Sequence, residues 1–221
     1  MARLNHANQG GESQNPTQKY IKWKSNDKSF SYYDKAKGEE VKIGLPFKFV
    51  FLQHYHTVKG WHDSSNSAIY SNEVYYIGNE SMTVRAFKGG EIASGIYKEI
   101  KSKVNSSGGS YHRSVYIALE DGSIANLSIK GAVVKEWSDF IDASKNTIDN
   151  QWVVVNEAVD QKKGSVSYST PKFSLGDNLD KKAVSMADDA ADKLKVYMDE
   201  YFVRGNKEVD EPVTLADDLA F

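Results

Sequence analysis

The sequence predicts a mainly β chain with helices (α+β): a small antiparallel barrel of the OB type, an additional hairpin before it and a long helix after it. Three observations carry that expectation. Apolar and polar residues alternate in several short segments bounded by Gly, Asn and Asp. Tyrosine is frequent, at 13 of 221 residues, with 9 Phe and 4 Trp, and aromatic side chains suit half-wet strand faces. One segment near the end instead repeats apolar residues at spacings of three and four.

In chain order, residues 1–16 read as a disordered leader rich in Asn, Gln, Gly and Ser. Lys19 to Lys24 and Ser29 to Tyr33 form a hairpin across Ser25-Asn26-Asp27, and Lys35 to Gly38 ends it. Val41 to Tyr55 reads as one long strand bent at Gly44 and Pro46. Gly60 to Ser67 is a polar loop carrying Trp61. Glu73 to Ile77 and Met82 to Phe87 make a hairpin across Gly78-Asn79-Glu80. Glu91 to Val104 reads as a short helix, because Ile92, Ile96, Ile100 and Val104 recur every four residues.

Tyr111 to Leu119 and Ser123 to Ile129 form another hairpin, across Glu120-Asp121-Gly122. Ala132 to Ala143 is helical, with Val133, Trp137, Phe140 and Ile141 on one side. Gln151 to Val159 and Ser165 to Phe173 give a last pair of strands. Asp177 to Val203 is the clearest helix, with Asp177 or Asn178 as its N-cap. From Val41 to Lys130 the order strand, strand, strand, helix, strand, strand is that of an OB-fold. The expected organisation is therefore a leader (1–16), an OB-like domain with elaborations (17–176), a helix (177–205) and a flexible acidic tail (206–221).

Composition removes several classes of function. The chain has no Cys, hence no disulfide, thiolate nucleophile or Cys-ligated zinc. No apolar run approaches the roughly 20 residues that cross a bilayer, and Met1 to Gln14 lacks the apolar stretch of an export signal. A cytoplasmic location with no membrane partner is expected. There is no Gly-rich phosphate loop ending in Lys-Ser/Thr and no Gly-x-Ser-x-Gly elbow. His54 and His56 share a strand face near Asp63, the start of a metal-dependent nuclease, but no carboxylate cluster completes it. The reading is a non-enzymatic chain without cofactor or metal.

The total charge of −2 conceals an asymmetry. Lys207 to Phe221 carries one Lys against Glu208, Asp210, Glu211, Asp217 and Asp218, and Asp177 to Val203 carries four Lys against seven acids. Residues 1–176 hold 22 basic and 18 acidic side chains. A mildly basic, aromatic body joined to an acidic end points to a polyanion as partner.

Single-stranded DNA presents flat bases and a charged backbone, so a non-specific binder needs aromatic platforms interleaved with Lys and Arg. Four groups fit. Lys22, Trp23, Lys24, Tyr32 and Tyr33 stand on the first hairpin; Lys59 and Trp61 on the polar loop; Tyr75, Arg85 and Lys88 on the middle hairpin; Tyr111, His112 and Arg113 just after Gly108-Gly109. Phe47, Phe49, Phe51 and Trp137 read as core instead.

The last residues, Thr214-Leu215-Ala216-Asp217-Asp218-Leu219-Ala220-Phe221, follow Pro212 and have no room to form a core. They resemble the acidic tails, closing in an apolar residue and Phe, of bacterial single-stranded-DNA-binding proteins and the analogous proteins of tailed phages. The match lies in Asp217, Asp218, Leu219 and Phe221; Ala220 stands where the bacterial tail has Pro, and fewer acids are consecutive. The resemblance implies an OB core that coats single-stranded DNA in replication, recombination or repair in an infected bacterial host. It also implies a tail that recruits replication or recombination proteins. The alternative is a phage structural or assembly protein without a nucleic-acid role. The apolar stripe of the long helix would either dock on the body or pair two copies as a homodimer.

Overall fold

The computed structural model describes residues 13–205. Its first three strands are β1 (Thr17–Lys24), β2 (Ser29–Asp34) and β3 (Glu39–Ile43). Next come β4 (Phe47–His62), β5 (Ser67–Ser71), β6 (Ser81–Ala86), β7 (Gly90–Ile96) and helix α1 (Tyr97–Ser106). The second half holds β8 (Gly109–Ala118), β9 (Ile124–Lys130), α2 (Ala132–Ser144), β10 (Gln151–Lys163), β11 (Val166–Asn178) and α3 (Lys181–Gly205). The chain is thus mainly β with three helices, the α+β class expected.

The strands form one open, mixed sheet in the order β3-β2-β1-β9-β8-β4-β5-β6-β7. β10 pairs with the first residues of β4, and β11 with β10. β4, β5, β6 and β7 are successive antiparallel neighbours, a meander, and β8 returns beside β4. The outer edge of β9 is taken by β1, which runs parallel to it.

The first hairpin lies where the sequence placed it, Lys24 opposite Ser29. At its far end Asp34 Oδ1 accepts from the N–H groups of Ala36 and Lys37, an Asx turn that reverses the chain into β3. The expected bent strand over Val41 to Tyr55 is two strands separated at Gly44, Leu45 and Pro46: β3 pairs with β2 at one edge of the sheet, and β4 with β8 near its middle. β4 then runs on through the segment expected as a loop, so Trp61 is a strand residue. Gly60 permits this: a Cβ there would lie 2.2 Å from the carbonyl oxygen of Gly108, so only glycine lets β4 and β8 approach.

Two further expectations are corrected. The partner of β6 is β5, not Glu73 to Ile77, where only Val74 bridges to His56. That segment is instead a loop closed by side chains: Asn72 Oδ1 accepts from Thr83 N–H, and Glu80 Oε2 from Tyr75 N–H. The helix expected from Glu91 starts only at Tyr97, because residues 90–96 pair with β6 and Gly95 takes φ 143°, outside the helical region. At α3 the N-cap is Asp180, whose Oδ1 accepts from Ala183 N–H, since β11 extends through Asn178 and includes both expected caps.

Three clusters form the core. The first fills one side of the sheet beneath α2: Trp137, Phe30, Phe49, Ile21 and Leu127 are buried there, and Phe51 packs against them. The second lies under α1, with Val58, Ile69, Met82, Val84 and Tyr97. The third lies on the opposite side, where Ala183, Ala187, Ala190, Leu194 and Met198 of α3 cover Tyr55, Tyr116, Ala118 and Trp152. Each large apolar side chain so enclosed contributes about 1.5–3 kcal/mol. The stripe of α3 therefore docks on the sheet of its own chain. Among the described residues no helix is long and apolar enough to cross a membrane.

Candidate nucleic-acid interface

Strand alternation and register decide which side chains share a face. Starting from β8, Ser110 stands opposite Lys59, Lys59 opposite Tyr70, and Tyr70 opposite Arg85, a row across four strands. Lys130, His112 and Thr57 form the next row. Lys22, Ser128, Ser114 and Tyr55 form the third. All of these face the side on which α3 lies. α3 covers one end of that side; beyond it Thr57, His112 and Ser114 are buried, Lys59, Tyr70, Arg85 and Lys22 are half-buried, and Ser110 and Lys130 are exposed, so the open face is a polar and aromatic rim around a buried polar middle.

Contacts between rows agree with this placement. Lys59 Nζ lies 5.9 Å from the ring centre of Tyr20. His112 Nδ1 is 2.9 Å from Ser128 Oγ, and its Nε2 is 3.3 Å from Ser110 Oγ. Burial, followed by the charges of Lys59 and Lys130, pushes the His112 pKa down to about 3, so this ring is neutral and knits β8 to its neighbours. Lys22 and Lys24 both reach Glu40, at 3.3 and 3.0 Å. Desolvation pulls the Glu40 carboxyl up, but hydrogen bonds from Lys24 and Ser31 and the charge of Lys22 outweigh it and hold its pKa below the usual value. Part of the cationic charge of this face is thus already balanced.

At the border with α3, Glu73 accepts from Tyr116 Oη at 3.1 Å, and its backbone N–H donates to Tyr201 Oη at 2.8 Å. Burial raises the Glu73 pKa; Ser114, Lys59 and Tyr116 oppose that rise. Trp61 is 40 % exposed, opposite the small Ala68, and its indole has an open side. The Nε of Arg85 is buried with no hydrogen-bond partner among the described residues.

Seven of the expected contact residues meet on this face: Lys22, Lys24, Tyr33, Lys59, Trp61, Arg85 and His112. Four others project to the packed side. Trp23 meets Phe30 edge-on at 4.9 Å and donates its indole N–H to the Ser169 carbonyl. Tyr32 packs against the same cluster. Tyr111 lies 5.7 Å from the Tyr97 ring, with its hydroxyl 2.7 Å from His56 Nδ1. Arg113 Nη1 reaches His54 Nε2 at 2.8 Å. Tyr75 stacks on Phe202 at 4.9 Å beside α3. Lys88 sits in the turn between β6 and β7, its N–H held by Ser67 Oγ.

His54 and His56 are engaged by Arg113, Trp137 and Tyr111. Burial and the Arg113 charge push His54 and His56 down to about 4. A guanidinium in contact with His54 disfavours a bound cation, and Asp63 lies in the turn beyond β4. Among the described residues no three His, Asp or Glu side chains converge as metal ligands.

Tyr20 shares the face of Lys22 and Lys24, as strand alternation predicts. Sequence reasoning missed Tyr70 and Lys130 on the open face, because only the pairing of β5 with β4 and of β9 with β8 places them there. Asp217, Asp218, Leu219 and Phe221 lie outside the described residues. The open face can hold an anionic backbone through Lys and Arg and stack planar groups on Trp and Tyr. No protein-family model, curated protein or solved structure matches this chain.

Proposed function

We propose that this chain binds single-stranded DNA without sequence specificity, in replication or recombination, through the open face of its sheet. The carrying observation is the row Lys59–Tyr70–Arg85 with the exposed Trp61 beside it, cations interleaved with aromatic rings on strands rather than on loops. Stacking of about 1–3 kcal/mol per base and salt-dependent phosphate contacts are what such a row offers. The order β4, β5, β6, α1, β8, β9, with β8 returning beside β4, supports an OB-like reading of the centre, with β1–β3, β7 and the β10–β11 pair as elaborations. On sequence alone, Asp217, Asp218, Leu219 and Phe221 would recruit a replication or recombination partner, and the chain would act in the cytoplasm of a phage-infected host.

The test is titration of the full chain into fluorescent oligo-dT and a matched duplex at several salt concentrations. Tight, salt-sensitive preference for the single strand supports the proposal. Equal or absent binding removes it and leaves a structural or assembly role.

A further inference from the structure

The open face continues past Lys22 to the far end of the first hairpin. Ile21 stands opposite Tyr32, so the neighbouring pair, Tyr20 and Tyr33, is turned to the open side. Between these tyrosines and the segment entering β1 lies a groove of about 430 Å³, also lined by Asn15, Thr17, Gln18 and Lys35. That volume falls among small-ligand sites, roughly 300–1,000 Å³.

The groove walls are held in place. Asn15 Nδ2 donates to Tyr20 Oη at 2.9 Å, and Asn15 Oδ1 accepts from Thr17 N–H at 3.0 Å, which fixes the Tyr20 ring against the chain entry. Asp34 also lines the groove, with Oδ1 committed to the Asx turn and Oδ2 3.9 Å from Lys37 Nζ. Tyr33 is 42 % exposed. Gln18, in contrast, is exposed at the groove.

We propose that this groove holds one nucleotide of a bound single strand, its base against Tyr20 and Tyr33 and its phosphate toward Lys35. The inference rests on the DNA-binding reading and adds a defined subsite to it. Two tyrosine rings suit a planar base, the amide of Gln18 suits its polar edge, and a cation at the rim suits its phosphate. Continuity with Lys22 and Lys24 on the same face lets a strand reach the groove without leaving the sheet.

The experiment compares oligo-dT binding by the full chain, Tyr33→Ala, Tyr33→Phe and a control, Tyr76→Ala, whose ring is 67 % exposed but lies elsewhere. Tyr33→Ala should weaken binding about tenfold with an unchanged salt slope, because a stacking platform and not a phosphate contact is lost. Tyr33→Phe and Tyr76→Ala should bind as the parent does. Equal affinity of the parent and Tyr33→Ala overturns the subsite while leaving the open face intact. If the parent binds no oligo-dT, the broader reading fails, and thymidine monophosphate then tests the groove by NMR. Shifts confined to Tyr20, Tyr33 and Gln18 support a nucleotide site, and no shifts overturn it.

Discussion

The two faces of the central sheet use the same residue types for opposite purposes. On the packed face Trp137, Trp23, Tyr111 and Arg113 are enclosed or half-enclosed and held by protein partners. On the open face Trp61, Tyr33, Lys59 and Arg85 project from the same or neighbouring strands toward solvent or the border with α3. Arg113 and His112 are adjacent in sequence and lie on opposite sides of the sheet. An aromatic or basic residue on a strand therefore has its role set by parity before chemistry.

Substitutions on the two faces should separate stability from binding. The largest effect is expected for Trp137→Ala, which empties a fully enclosed site touching Phe51 and Phe173. It should cost about 3–5 kcal/mol, read as a lower urea midpoint. Trp61→Ala should weaken oligo-dT binding by about 1–3 kcal/mol and move the urea result by less than about 0.5 kcal/mol. A Trp61→Ala protein that loses stability but not affinity would erase the distinction between the faces.

Acid should act through the enclosed rings. The pKa values of His54 and His56 are held near 4 and that of His112 near 3, all below the ordinary value, so the unfolded chain takes up protons first. Their stabilising contribution is complete above about pH 6.5 and is lost as pH falls toward 4 and then 3. The urea midpoint should fall over that window, and His112→Gln should flatten its lower part. A midpoint that holds steady or rises on acidification contradicts the burial of these rings.

Charge changes should be subtler. Lys59→Ala and Arg85→Ala should each reduce the slope of log K against log salt for oligo-dT by about 0.7, whereas Arg113→Ala should leave the slope alone and lower stability. The smallest effect is a gain. Glu40→Gln releases Lys22 and Lys24 from their internal partner and should tighten binding by up to about fivefold, the scale of a surface ion pair. Weaker binding by Glu40→Gln would mean that these lysines face something other than phosphate.

How much of this was legible varies with the signal each segment carries. The first hairpin, β8–β9, α2 and α3 are readable because alternation or a stripe runs unbroken between polar turns. β5 escaped because Ser67-Ala68-Ile69-Tyr70-Ser71 is short and mostly small or polar, like a loop, although Ser67 and Ser71 are buried. The start of α1 was misplaced because Ile92 and Ile96 imitate a helical repeat inside a strand, and only the pairing with β6 decides between them. The open face was named in fragments. Tyr111, His112 and Arg113 were grouped as neighbours, although alternate residues of a strand cannot face the same way, and the row through Tyr70 depends on a pairing absent from local sequence. A bulge in β4 between Phe51 and Gln53 shifts the parity once more, beyond any local pattern.

The parallel pairing of β1 with β9 also sets a schedule. Ile21 and Leu127 are more than a hundred residues apart in the chain yet adjacent in the sheet. At about 5–20 residues per second on a ribosome, the first hairpin leaves the exit tunnel some 5–20 s before its neighbour is made. Until then β1, β2 and β3 form a three-stranded unit whose apolar side chains Ile21, Trp23 and Phe30 have nothing to pack against beyond the unit itself. During that interval the edge of β1 and the ring of Trp23 are exposed, an opening for mispairing that closes only when β9 arrives.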